Sequence, residues 1–242
     1  MRGTALRLYK KCKRLAKRTV WKLSAVGKAT EKKVLFESFR GRSYSDNPRA
    51  VSEALHGVAP EIGIVWVLNG EDKYGIVPPY VKTIRRDSAE YKREFITAAA
   101  YVTNEVMEAQ FPKRRKKQLF VQTWHGDRAF KKILYDVWVD RKRPEPVYDE
   151  FLTDFSLAGS EYGTMQYRSA FHYSGEIVAE GTPRNDCLIH PDASRVRTVR
   201  DRLGLKENRH VLLYAPTMRK ENQREGTDQP IQGLDLKKTL AA

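Results

Sequence analysis

Three short segments of this chain carry side chains suited to chemistry. In Gln122-Thr123-Trp124-His125-Gly126 a histidine directly follows a buried-looking apolar run, and Gly126 lets the chain turn tightly into the next element. An imidazole titrates near neutral pH and acts as a general base when it reaches a substrate proton. A helix starting just beyond would offer its N-terminus to an anion. There Asp127 would oppose a phosphate or cap the helix, and Arg128 would offset the carboxylate. Gly181-Thr182-Pro183-Arg184-Asn185-Asp186 supplies Arg184, whose guanidinium can clamp phosphate through two parallel hydrogen bonds. Ala215-Pro216-Thr217-Met218-Arg219 adds a hydroxyl and another cation. Taken singly, each has a plainer reading: a hydrogen-bonded structural histidine, or a rigid turn capped by Asp186. His56, His172, His190 and His210 lie too far apart in sequence for metal-ligand spacing, so no metal is expected. GxGxxG, P-loop and GxSxG patterns are missing from the sequence.

The elements that must position these segments alternate. Strands are expected at Val34–Phe36, Ile62–Leu68, Tyr101–Thr103, Leu119–Thr123, Phe155–Ala158, Glu176–Ala179 and Val211–Ala215. Helices are expected after Ser45-Asp46-Asn47-Pro48, which reads as a cap followed by proline at the first helical position. Others are expected over Ser88–Ala98, Arg128–Tyr135, Tyr162–Phe171 and Ala193–Leu203. Such alternation with short connections predicts an α/β fold with a parallel sheet covered on both faces. In that fold ligands bind beyond the carboxyl ends of the strands, where all three segments fall. Residues 221–242 are polar and weakly patterned, so the chain reads as ending soon after another α/β unit begins.

Composition narrows the class. The 242 residues are 40% hydrophobic, enough for a core, and carry a formal charge of +15. Its longest clean apolar run, Ile62–Leu68, is far short of the ~20 residues that span a bilayer, and the charged N-terminus lacks the apolar core of a secretory signal. Two cysteines, Cys12 and Cys187, cannot build a disulfide framework, so a reducing cytosol is the expected setting. The charge is concentrated. Residues 1–33 hold 12 basic residues against the single acid Glu31, whereas the rest carries 33 against 29. In this leader Leu8, Cys12, Leu15, Ala16, Val20 and Leu23 recur at helical spacing, with Lys10, Lys13, Arg14 and Lys17 mostly outside the stripe and Tyr9 and Trp21 at its boundary. A basic amphipathic helix of this kind suits an anionic membrane surface; a nucleic acid, or no partner, are the alternatives. A second basic run, Lys113–Lys117, reads as a solvated loop that could face the same surface.

Taken in order, four motifs resemble the CDP-glycerol glycerophosphotransferase family, which builds teichoic-acid-type glycerol-phosphate polymers. They are Val34–Phe39 with Tyr44–Pro48, Gln122–Gly126, Gly181–Asp186 and Leu213–Arg219, covering residues 33–220. The resemblance implies a GT-B-like architecture: a membrane-surface helix (1–32), a complete N-terminal acceptor-side Rossmann-like domain (33–205) and the start of a C-terminal donor-side domain (206–242). It also implies a peripheral location on the cytoplasmic face of the cell membrane and transfer from CDP-glycerol to a lipid-linked glycerol-phosphate acceptor. No cofactor and no nucleic acid are expected. His125 maps to the family's proposed base. Gly126, Asp127, Arg128, Arg184, Pro216 and Thr217 map to substrate-lining positions, and Arg219 is expected to add positive charge there. Many members have Thr-Pro where this chain has Asp127-Arg128, and the rest of the family's donor domain has no counterpart in the 242 residues. Two rivals follow: an acceptor-binding piece without turnover, and a nucleic-acid binder with a basic arm, against which the nearly balanced charge of the body counts.

Overall fold

The computed structural model describes residues 2–24, 31–70, 76–108, 111, 118–126, 132–137, 147–206, 209 and 211–213. Seven strands, β1 (Glu31–Glu37), β2 (Gly63–Val67), β3 (Val81–Ile84), β4 (Ala98–Thr103), β5 (Leu119–Gln122), β6 (Phe155–Leu157) and β7 (Glu176–Val178), form one parallel sheet in the order β3-β2-β1-β4-β5-β6-β7. The chain therefore builds outward from β1 in one direction, returns, and builds outward from β4 in the other. A crevice opens at such a reversal, beyond the carboxyl ends of β1 and β4. The expected parallel α/β fold is what the structure shows.

Consecutive residues of the central strands are buried on opposite faces, as parallel sheets require. Leu35, Val65, Tyr101 and Phe120 pack into one cluster with Tyr91, Phe95 and Ile96 of α3 (Ala89–Thr97). Phe36, Trp66 and Val102 pack into the other, with Val51 and Leu55 of α2 (Asp46–Val58) against it. The remaining helices are α1 (Arg2–Ser24), α4 (Leu134–Val137), α5 (Asp149–Leu152), α6 (Glu161–Ala170), α7 (Asp186–Ile189) and α8 (Ala193–Arg202). The chain divides into two compact units, Met1–His190 and Pro191–Ala242.

Several local expectations change. Strand β3 has only four residues, and Lys82 and Thr83 at its centre are exposed; too little apolar pattern remained to announce it. Lys82 ion-pairs with Glu90 and Glu94 at 2.8 Å each, a cation of the sort that blunts a sheet edge. Ala98, expected to end a helix, begins β4, which takes in Ala99 and Ala100 as well, because pairing with β1 and β5 outweighs alanine's helix preference. Pro48 is the third residue of α2 rather than the first, and Ser45 makes no side-chain cap bond. Val211–Leu213 are exposed and are not a strand; Tyr214 and Ala215 lie outside the described residues.

Trp21 is the sharpest correction in the leader. It is 5% exposed, not a wet boundary residue. Its ring meets Tyr91 and Phe95 edge-on at centroid distances of 5.9 and 5.2 Å. Lys17, one turn earlier, pairs with Asp87 at 3.6 Å. Cys12, Leu15, Ala16, Val20 and Leu23 are exposed. At about 100° per residue, Trp21 lies roughly opposite the centre of that stripe. The helix is thus held by one face and shows its apolar stripe from Cys12 to Leu23 outward. No helix among the described residues is long and apolar enough to cross a membrane.

Beneath the crevice, Glu37 at the end of β1 is buried and accepts hydrogen bonds from Tyr101 Oη (2.7 Å), Tyr91 Oη (3.3 Å) and Arg86 Nε (2.6 Å). Arg86 also pairs with Glu108. Burial pushes the Glu37 carboxyl above its ordinary range, opposed by Arg86. This network ties β1, β4, α3 and the loop after β4 into one rigid rim.

Candidate active site

The rim residues converge around the end of β5. Thr123 continues the ladder one step beyond the strand, donating its N–H to Thr103 O at 2.8 Å. Trp124 then adopts a left-handed backbone, φ +48°. That turn swings His125 toward β4, where its Nδ1 lies 2.7 Å from the carbonyl oxygen of Asn104. A carbonyl can only accept, so Nδ1 carries the proton and Nε2 keeps its lone pair. The imidazole is half-buried, stacked on Trp124 at 4.1 Å and tilted against Phe39 at 5.5 Å. It lies between the turn after β1 and the first residue after β4 and is only partly buried, not sealed in the core. The tight turn assigned to Gly126 belongs to Trp124. Gly126 has no positive φ, and a Cβ there would meet open space.

Asn104 is fully buried and shapes the facing wall. Its Oδ1 accepts from Phe39 N at 2.8 Å and its Nδ2 donates to Ser38 Oγ at 3.1 Å. These bonds hold the turn after β1, in which Phe39, Arg40 and Gly41 all have positive φ (47°, 56° and 77°). Left-handed non-glycine residues are costly and concentrate where function requires them.

Arg184 is brought next to His125, but not as a free clamp. Its Nη1 donates to Asp46 Oδ2 at 2.8 Å and to His125 O at 2.9 Å. Its backbone N–H donates to Asn47 Oδ1 at 3.2 Å. The Arg184–Asp46 pair is net neutral, so toward an anion it offers the remaining guanidinium N–H groups rather than surplus charge. Gly126 stands with Asn47, Thr123, Gly159, Gly181 and Thr182 around a small cleft beside these groups. Gly181, at φ +117°, needs glycine's freedom there.

Asp127, Arg128, Pro216, Thr217 and Arg219 lie outside the described residues, as does the Lys113–Lys117 run. Of the helix expected over Arg128–Tyr135, residues 128–131 lie outside the described residues; Leu134–Val137 is helical, and among the described residues no helix starts beside His125. Among those residues no group of three His, Cys, Asp or Glu is placed to hold a metal ion.

Sequence reasoning missed the buried polar residues behind the site. Asn47, read as part of a helix start and of the Tyr44–Pro48 motif but given no role of its own, donates Nδ2 to the carbonyls of Thr123 and Trp124 at 3.1 Å each. Gln122 accepts from Trp124 N at 2.8 Å through Oε1 and donates through Nε2 to Asp149 Oδ1 at 2.5 Å and Glu105 O at 2.9 Å. Asp149 also accepts from Met107 N at 2.9 Å. Burial raises the Asp149 carboxyl to about 6 despite these donors. A glutamine ending an otherwise apolar strand was the one available signal.

An open, wholly parallel sheet with helices against its faces defines a Rossmann-like α/β protein, a class in which ligands bind beyond the carboxyl ends of the strands. Over residues 17–240 the chain matches the family described as CDP-Glycerol:Poly(glycerophosphate) glycerophosphotransferase, and it belongs to that family. It is 31% identical over 199 residues to the teichoic acid poly(glycerol phosphate) polymerase of Staphylococcus epidermidis, covering 78% of this chain and 27% of that protein. It is 31% identical over 200 residues to the polymerase of the same name from Bacillus spizizenii, covering 78% and 50%. Among solved structures it is similar to the wall teichoic acid polymerase TagF in a CDPG-soaked variant, with a TM-score of 0.74 and 27% identity. That match covers 90% of this chain and 56% of TagF, which agrees with the GT-B-like fold expected from the motifs. The chain thus spans between about a quarter and somewhat over half the length of these relatives.

Proposed function

We propose that this chain carries the acceptor-side half of a glycerophosphotransferase that moves glycerol phosphate from CDP-glycerol to a hydroxyl of a membrane-linked, teichoic-acid-like acceptor. His125 Nε2 takes the proton from the acceptor hydroxyl. The freed oxygen attacks the glycerol-bearing phosphorus, the bond to the bridging phosphoanhydride oxygen breaks, and CMP leaves with that electron pair. Positive charge and N–H donors around the phosphates supply much of the acceleration. Arg184 supplies part of this, with Gly126 leaving room for the donor and Asp127, Arg128, Pro216, Thr217 and Arg219 as further contacts.

One observation carries the reading: an imidazole at the crevice whose Nδ1 is committed to Asn104 O, leaving Nε2 free to accept a proton. Family membership and the named activities of the relatives support the substrate class. The exposed stripe of α1, with Lys13 and Lys22 exposed beside it, supports docking on an anionic bilayer surface on the cytoplasmic side. On this reading 1–32 is the membrane-surface helix, 33–205 the acceptor-side domain and 206–242 the start of the donor side. The test is CMP release from CDP-glycerol in the presence of vesicles bearing a lipid-linked glycerol-phosphate acceptor. Release that needs both donor and acceptor supports the proposal. The reaction is run with this chain joined to a complete donor-side domain of the family, and donor- and acceptor-loaded mixtures that then yield no CMP oppose the proposal.

A further inference from the structure

We infer that Asn47 and Gln122 are positioning residues for His125: together they clamp the two peptide groups of Trp124 and hold it in the left-handed conformation that aims the neighbouring imidazole. The inference deepens the proposed role of His125 and rests on it only for its consequence in catalysis.

Trp124 is an unusual residue to find at φ +48°. Positive φ is uncommon outside glycine, asparagine and aspartate, and is a true outlier for a bulky side chain. Such a conformation persists only when its surroundings over-determine it. Here they do so from both sides. On one side the Trp124 N–H donates to Gln122 Oε1 at 2.8 Å; on the other, the Trp124 carbonyl accepts from Asn47 Nδ2 at 3.1 Å.

Neither amide can turn without losing its own partners. Gln122 Nε2 is engaged by Asp149 and Glu105 O, and Asn47 Oδ1 by the Arg184 N–H. Both side chains are buried, and both stand on regular elements, Gln122 at the last residue of β5 and Asn47 in the first turn of α2. A site supported from rigid elements keeps its geometry better than one left to a loop. With its backbone fixed, the Trp124 ring lies against His125 at 4.1 Å and meets Phe171 edge-on at 5.0 Å. His125 Nδ1 then reaches Asn104 O. Released from the clamp, Trp124 would relax to negative φ, redirect the chain entering His125 and break that bond, and the imidazole would no longer be confined to one tautomer.

The test uses the whole 242-residue chain with ¹⁵N-labelled histidine, reading the His125 tautomer by long-range ¹H–¹⁵N correlation. The wild type should show the Nδ1–H form. Asn47→Asp keeps the size and the acceptor for Arg184 but removes the donor, and Gln122→Met keeps the length but removes both polar ends. Each should give a mixed Nδ1–H/Nε2–H population in a protein with an otherwise folded spectrum. A folded variant with the wild-type tautomer overturns the inference. Should both variants fail to fold, the wild type decides: the Asn47 and Gln122 side-chain amides should exchange at least about ten-fold more slowly than exposed ones, and fast exchange overturns it. No substrate enters these readouts, so the inference can stand or fall apart from the proposed reaction. Where CMP release is observed, both variants should lower kcat by about 10–100-fold with KM for CDP-glycerol little changed, whereas a lost substrate contact would raise KM.

Discussion

His125 Nδ1 lies 2.7 Å from the carbonyl oxygen of Asn104, the first residue beyond β4. The bond reaches from the end of β5 to the end of the neighbouring strand, so the orientation of the imidazole depends on two strand ends at once. It also decides which nitrogen can accept a proton. Asn104 contributes twice, since its side chain holds the left-handed turn of Phe39, Arg40 and Gly41 opposite.

Asn104→Ala should therefore destabilise the protein by about 1–3 kcal/mol, the usual cost of stranding buried hydrogen-bond partners. Urea denaturation followed by circular dichroism measures it. A change within about 0.5 kcal/mol, the range of an ordinary surface substitution, would show that Ser38 and Phe39 N find other partners.

Arg184 and Asp46 should couple. Asp46 is largely buried, and Arg184→Ala leaves its carboxylate without its cation. The single variant should lose about 1–3 kcal/mol, and Asp46→Ala a similar amount because Arg184 Nη1 and Asn47 N lose their acceptor. The double variant should lose clearly less than the sum. Additive losses would mean that the 2.8 Å contact contributes nothing in solution.

Stability should depend on pH through Asp149. Its folded value, about 6, lies above the ordinary 3.8, so the folded state holds the proton more tightly. The resulting stabilisation is full below about pH 4 and is lost as pH rises through 6, a fall of up to about 3 kcal/mol at ~1.4 kcal/mol per unit. Glu37, also raised by burial, acts in the same sense. Glu94 acts oppositely: burial raises its carboxyl, but hydrogen bonds from Lys33, Lys82 and Arg93 prevail and hold it at about 2. Its contribution is present above the ordinary value of 4.5 and disappears as pH falls toward 2. Denaturation curves between pH 4.5 and 6.5 separate the two, and Asp149→Asn should flatten the decline in that window. An unchanged slope would place the raised carboxyl elsewhere.

The two faces of α1 should separate by mutation. Trp21→Ala empties an aromatic cluster formed with Tyr91, Phe95 and Phe111, and should cost about 3–5 kcal/mol. Leu15→Glu with Leu23→Glu should leave the melting temperature unchanged while weakening binding to anionic vesicles by about 10–100-fold. Vesicle co-sedimentation with the unmodified melting curve as control is the measurement. Retained binding would assign the membrane contact to another surface.

How much of this was legible depended on the kind of residue. Strands β1 and β2 announced themselves because residues buried on both faces read as continuous apolar runs, and β5 through the short apolar run Leu119–Val121. Strand β3 did not, because Lys82 and Thr83 face solvent, and Ala98 misled because pairing overrode propensity. His125 and Arg184 were visible as polar residues after strand ends. The roles of Asn47, Asn104, Gln122 and Asp149 were not, since a buried polar side chain is recognised only by the groups it satisfies, and apart from Trp124 N those come from 17 to 137 positions away. Trp21 looked like part of an amphipathic surface because its partners in the body were invisible from the leader alone.

The most direct measurement is CMP release from CDP-glycerol on acceptor-bearing anionic vesicles by this chain joined to a complete donor-side domain, comparing the wild type with His125→Ala. If Nε2 of His125 is the base, the variant should lose about 10²–10⁴ in kcat while remaining folded and bound to vesicles. A folded, vesicle-bound His125→Ala protein releasing CMP at the wild-type rate would contradict that role.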